Sequence, residues 1–174
     1  MPGSYARSRH TGDGGPCRRR RRPRTLAADA EEASVTKVTD RHGLEVLPLN
    51  QCLSLLRSRP LGRLAYQAAG TPVVVPVNHL VDGSTVVLRT LAGGKLDVGL
   101  AGKPVAFQLD DHDPARGTGW SVLVQGRAEI VDDPELLARY DDKLDSWAIP
   151  DGTEVSWLRI VPDEVSGRRL RRTS

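Results

Sequence analysis

Between Leu61 and Val161 short runs rich in β-branched residues are separated by tight-turn signals, and this punctuation restricts the fold more than any other feature of the chain. Leu61 to Ala68 reads as a strand, Gly70 and Thr71 as a turn, and Val73 to Leu80 as the returning strand of a hairpin. Asp82-Gly83 is a second hairpin signal, and Thr85 to Thr90 supplies the next strand with Val86 and Leu88 on one face. Pro104 leads into a strand over Val105 to Leu109, whereas Asp110 to Gly119, crowded with charges, Gly and Pro, is expected to be a loop. Trp120 to Val131 is the longest predicted strand, and the last, Val155 to Val161, is expected to stop at Pro162. Helical signals lie between and before these runs. Leu49, Leu53 and Leu56 recur as one apolar face, with Asn50 as the expected cap and Pro60 as the stop. A short helix is predicted over Lys95 to Leu100, and another after Asp132 or Asp133, with Pro134 in its first turn and Leu136, Leu137 and Tyr140 inward. Six short strands with helices only at the periphery predict a mainly β (α+β) chain, folded as a six-stranded antiparallel barrel and not as a doubly wound sheet.

Charge is distributed unevenly along the chain. The formal net charge of +3 hides a basic start, because residues 1–24 carry eight arginines against one acid, Asp13. The body is therefore acidic, so the charge argues against a nucleic-acid partner for the folded part. Residues 1–46 contain almost no large apolar side chains and are expected to be a disordered Arg-rich tail; the run Arg18 to Arg22 is a candidate contact for an anionic polymer such as nucleic acid, but reads first as solvated tail or as an overextended start. Residues 47–170 are the expected domain and 171–174 a short C-terminal tail. No run approaches the roughly 20 consecutive apolar residues of a membrane helix, and the first residues do not make a secretory signal. Cys17 and Cys52 lack metal-ligand spacing, so neither a disulfide framework nor a metal site is expected, and a reducing cytoplasm fits best.

Side-chain catalysis has little material here. The body holds His42, His79 and His112, without His-x-x-x-His or Cys-x-x-Cys spacing and without a Gly-x-Ser-x-Gly elbow. His79 reads as a structural histidine. Any chemistry is therefore expected to come from a cofactor that the protein orients. The region able to hold a phosphate is Arg89-Thr90-Leu91-Ala92-Gly93-Gly94-Lys95, where a strand delivers an Arg and a Thr into a Gly-rich turn that opens a helix bearing Lys. In the second notable segment, Gly117 to Ala128, period-two alternation puts Trp120, Val122 and Val124 on one face and Ser121, Leu123 and Gln125 on the other. Trp120 alone reads as a core aromatic, Gly126 as a bulge or close approach, and Arg127 as a rim ion pair.

Six blocks in order resemble the pyridoxamine 5'-phosphate oxidase-like flavin/deazaflavin-binding proteins of actinobacterial type: Leu53-x-x-Leu56, Gly62-Arg63-Leu64-Ala65, Val75-Pro76-Val77-Asn78, Arg89-Thr90 with Lys95, Gly119 to Ala128, and Ile160-x-Pro162-x-x-Val165-Ser166-Gly167-Arg168-Arg169. The resemblance spans about residues 47–170. It implies a split barrel, a homodimer, and a cofactor in each of two clefts between protomers. Carried over, it implies that Pro76, Val77 and Asn78 lie beside the isoalloxazine ring, that Arg89 and Thr90 meet the ribityl chain or phosphate, that Lys95 meets the phosphate, and that Trp120, Ser121 and Val122 approach from a barrel wall of the same or the partner subunit. FMN is the implied cofactor, with the deazaflavin coenzyme as the alternative. The extended substrate-phosphate segments and the C-terminal Arg-x-His element of the vitamin B6 oxidases are absent, so a relative acting on another small organic substrate is expected. A deazaflavin-dependent reductase and a non-catalytic flavin or haem carrier or sensor are the competing readings. The Asp110 to Gly119 segment is expected to be either a substrate lid or a plain connector.

Overall fold

The computed structural model of this protein describes residues 38–92, 97–144 and 152–171. In chain order these contain β1 (Glu45–Val46), α1 (Leu49–Arg57), β2 (Leu61–Ala68), β3 (Thr71–Asp82), β4 (Thr85–Leu91), α2 (Asp97–Leu100), β5 (Pro104–Asp113), β6 (Thr118–Val131), α3 (Pro134–Asp141) and β7 (Val155–Leu170). All strand pairings are antiparallel, in the order β1-β7-β4-β3-β2-β5-β6, and a further β6–β7 pairing closes β2 to β7 into a six-stranded barrel. Closure removes the free edges that an open sheet would present.

Period-two alternation divides the residues between two cores. Inside the barrel lie Leu64, Val86, Leu88, Phe107, Val122, Val124, Leu158 and Ile160, with α1 closing one side through Cys52 and Leu56. On the outer surface, α3 covers Val87, Val131 and Trp157 with Tyr140, and Leu136 and Leu137 pack at its margin. Each fully buried Leu or Phe stabilises the fold by about 1.5–3 kcal/mol relative to exposure. The bilayer of strands leaves almost no room at its crossings. A Cβ at Gly62 would sit 2.1 Å from the Phe107 ring, and one at Gly126 2.1 Å from the Val161 carbonyl oxygen.

Several sequence expectations change at this level. The charged segment after Leu109 is not a ten-residue loop: β5 runs to Asp113, β6 begins at Thr118, and the two pair from Pro104↔Arg127 to Asp113↔Thr118. Its charges stay solvent-accessible in ion pairs, Asp111 with Arg59 and Asp110 with Arg63, so a polar composition coexists with a ladder. The last strand does not stop at Pro162 but continues to Leu170. The register slips there, with Gln125 opposite Glu164 and Gly126 opposite Pro162, so Asp163 is the extra residue of a bulge and the missing proline N–H is tolerated. Residues 38–46, expected in the tail, are ordered. β1 pairs Glu45 and Val46 with Arg169 and Arg168, while Asp40 bonds Arg168 at 2.9 Å and Glu45 bonds Arg169 and Arg171. Of the expected C-terminal tail, Arg171 joins this network at 2.7 Å from Glu45. The predicted tail before residue 38 lies outside the described residues.

Helix details shift as well. α1 is entered from Pro48, whose carbonyl accepts the N–H groups of Gln51 and Cys52, so Asn50 lies inside the helix and does not cap it. Its buried face is Cys52 and Leu56, whereas Leu49 is exposed, because β7 approaches so closely that a Cβ at Gly167 would lie 2.6 Å from the Cys52 sulfur. α3 follows expectation more closely: Asp133 accepts the N–H groups of Glu135 and Leu136, and Pro134 occupies the first turn. Arg127 has no rim ion pair among the described residues and instead donates to the Gly102 carbonyl at 3.4 Å. No described helix is long and apolar enough to cross a membrane.

Candidate functional site

The barrel forks at β3 and β4. Residues 71–78 of β3 pair with β2, residues 79–82 pair with β4, and β4 pairs only with β7 from Arg89 onward. Asn78 and Arg89 therefore stand at the parting of the two strands, one step beyond the pair His79↔Leu88. Since Leu88 faces the barrel interior, alternation turns Asn78 and Arg89 to the outer face. Pro76 shares that face and is exposed, whereas Val77 faces inward against the core, and Thr90 follows Val86 and Leu88 inward at 9% exposure.

Arg89 is the chemically informative side chain of this group. One terminal nitrogen donates to the Leu144 carbonyl at 3.4 Å, and the guanidinium carbon lies 5.8 Å from the Trp157 ring centroid. Its Nε is buried and has no hydrogen-bond partner among the described residues. A buried N–H left unpaired costs about 1–3 kcal/mol, more in a charged group, and an anion at the fork removes that cost. Asn78 is buried and its amide reaches the Pro60 carbonyl only at 3.5 Å, leaving further hydrogen-bonding capacity at the same place. A guanidinium and an amide are a donor set suited to a phosphate, whereas the Thr90 hydroxyl, expected to join them, is turned to the barrel interior by strand alternation.

His79 belongs to the packing and not to this donor set. It is buried against Phe107, with ring centroids 4.6 Å apart, and its Nε2 lies 2.9 Å from the Leu56 carbonyl oxygen. Burial pushes its pKa below the ordinary value, only partly offset by the Leu56 and Pro60 carbonyls, so the neutral Nε2–H tautomer donates to Leu56. The outer helix is tied down by a second polar knot. Asp82 accepts from Tyr140 at 2.8 Å and from Arg139 at 2.6 Å, and burial together with that carboxylate raises the Tyr140 hydroxyl pKa.

The structure thus brings Pro76, Asn78 and Arg89 to one outer face at the fork and turns Val77 and Thr90 to the inner one. Lys95 lies outside the described residues. Trp120, Ser121 and Val122 are elsewhere in the protomer, on β6 between β5 and β7. Arg89 pairs with Trp157, whereas Trp120 pairs with Arg169, twelve residues further along β7, a strand path of roughly 40 Å. Trp120 is half-buried against the barrel core and borders a groove of about 330 Å³ with His112, Arg116 and Arg169, Ser121 is half-buried, and the Val122 side chain is sealed in the core so that only its main chain is available. A larger cleft of about 880 Å³ lies where β2 and β5 splay, walled by Tyr66, Lys103, Gln125 and the bulge at Asp163, and none of the expected cofactor residues lines it. Sequence reasoning missed Trp157 and Leu144. Neither carries a motif; only the strand register discloses that Trp157 is the neighbour of Arg89.

A closed six-stranded antiparallel barrel, with a buried arginine Nε lacking a partner among the described residues at its fork, is the class of fold this chain adopts. The family model for pyridoxamine 5'-phosphate oxidase matches residues 48–169, and the chain belongs to that family. An uncharacterised Mycobacterium tuberculosis protein is 40% identical over 129 residues, covering 71% of this chain and 84% of its own. Among solved structures, the FAD-binding protein of Mycobacterium smegmatis is 35% identical with a TM-score of 0.64, covering 74% of this chain and 99% of that one. An FAD-binding protein of Mesorhizobium loti is 25% identical, with a TM-score of 0.55 and coverage of 73% and 98%.

Proposed function

We propose that this protein is a flavin-dependent oxidoreductase that works as a homodimer, with FMN as its cofactor and a small organic molecule as its substrate. The observation that carries the reading is Arg89: a guanidinium at the β3/β4 fork, next to Asn78 and with a buried Nε that has no partner among the described residues, fits the phosphate of a flavin nucleotide. The FAD-binding relatives support a flavin and leave room for the longer FAD in place of FMN. When bound, the flavin supplies hydride and electron transfer, so no side-chain base is needed.

In this reading Arg89 fixes the anionic end, Pro76 and Asn78 present the outer face of β3 to the ring, and Lys95 adds a second cation. A second copy supplies Trp120 and Ser121, because the strand path separating them from Arg89 within one protomer is too long for one small molecule. The purified chain should be yellow or take up FMN or FAD with an absorption band near that of oxidised flavin. Arg89→Ala combined with Lys95→Ala should abolish retention. A colourless preparation indifferent to FMN, FAD and the deazaflavin coenzyme would refute the reading, and retention of the deazaflavin coenzyme alone would replace flavin by that cofactor.

A further inference from the structure

We propose that Trp157 is the positioning residue for Arg89, holding the guanidinium in its anion-binding orientation; this rests on the phosphate reading of Arg89. The two are cross-strand partners in the β4–β7 ladder and share the outer face. The guanidinium carbon stands 5.8 Å from the indole centroid, within the range in which a cation is attracted to a ring face. The indole is itself fixed. Its Nε1–H donates to the Asp141 carboxylate at 3.3 Å, and its ring tilts against Tyr140 at a centroid distance of 5.6 Å.

A second hold comes from the same outer layer, since the Leu144 carbonyl, just beyond α3, accepts from an Arg89 terminal nitrogen at 3.4 Å. The ring lies near the guanidinium and the carbonyl holds one terminal nitrogen, while Nε is buried and has no hydrogen-bond partner among the described residues. An arginine loses many rotamers on being ordered, and one already ordered binds its anion without that loss. Burial of Trp157 against α3 accounts for packing, but not for an arginine held over its ring with a buried donor that has no partner among the described residues.

The test is a set of titrations of the full chain with FMN and with riboflavin, which lacks the phosphate, followed by quenching of flavin fluorescence. Trp157→Leu should weaken FMN by roughly three- to thirty-fold, the range that loss of a cation–π contact gives, and leave riboflavin unchanged. Trp157→Phe, which keeps a ring face, should lose less. In an Arg89→Ala background neither change should have any further effect on FMN. Should Trp157→Leu not fold, the Phe variant carries the test, with about a two- to five-fold loss confined to FMN and absent without Arg89. Additive losses in the double variant, or equal losses for FMN and riboflavin, would reduce Trp157 to a structural residue. If Arg89→Ala itself leaves the ratio of FMN to riboflavin affinity unchanged, the phosphate reading fails and the inference with it.

Discussion

Two glycines and one histidine concentrate the steric and electrostatic constraints of this barrel. Gly62 is needed because the Phe107 ring occupies the space of its missing side chain, so Gly62→Ala is expected to cost about 1–3 kcal/mol by overpacking. Adding Phe107→Leu should restore part of the loss in urea denaturation, since the clash is with a side chain; Gly126→Ala should have no such rescue, because it meets the Val161 main chain. His79 should make stability depend on pH. Burial lowers its folded pKa below the unfolded value of 6.5, so its folded form resists protonation; stability is retained above 6.5 and lost progressively as pH falls below it. Denaturation midpoints measured between pH 7.5 and 5 should fall on acidification, and His79→Gln should flatten that part of the profile. A slope unchanged in the variant would assign it to other groups.

At the level of elements, the outer layer is as much a part of the molecule as the barrel. α3 is held at its start by Asp133 and at its end by Tyr140 and Arg139 on Asp82, so Asp133→Ala should lower stability by about 1 kcal/mol, seen as an earlier urea midpoint. The same α3 layer contacts Arg89 through Leu144, and fraying it should therefore also weaken FMN more than riboflavin. β1 plays the corresponding role at the far end of β7. Removing residues 1–46 takes away Asp40 and Glu45 from a group of arginines that includes half-buried Arg168 and Arg169, and is expected to cost on the order of 2 kcal/mol relative to the whole chain in thermal or urea unfolding. No change would mean that these ion pairs behave as ordinary exposed ones, worth about 0–1 kcal/mol each.

For the molecule as a whole, the proposed function draws each site from two copies, since Arg89 and Trp120 meet β7 twelve residues apart. Sedimentation should therefore give a dimer. Mixed dimers of an Arg89→Ala protomer with a Trp120→Ala protomer should retain one intact flavin site, because both lesions fall on the other site; if each protomer built its own site, every site in the mixture would be defective. Much of this organisation was legible in advance. The turn signals at Gly70 and Asp82-Gly83, the alternation of Val86 and Leu88, and the cap at Asp133 are local features, and each produced the expected element. The errors fell where tertiary pairing overrode local character, as when β5 supplied a ladder for charged residues before Thr118 and a bulge carried β7 through Pro162.

By itself, the sequence determined a small antiparallel barrel with peripheral helices, because periodicity and turn chemistry act over a few residues. It also singled out Arg89 and Thr90 as candidates for holding a phosphate, from residue type and the Gly-rich turn that follows them. Only the tertiary structure decided which residues stand beside them. The fork between β3 and β4, the ring of Trp157 under the guanidinium, and the distance to Trp120 all follow from register between strands remote in sequence, which no local pattern encodes.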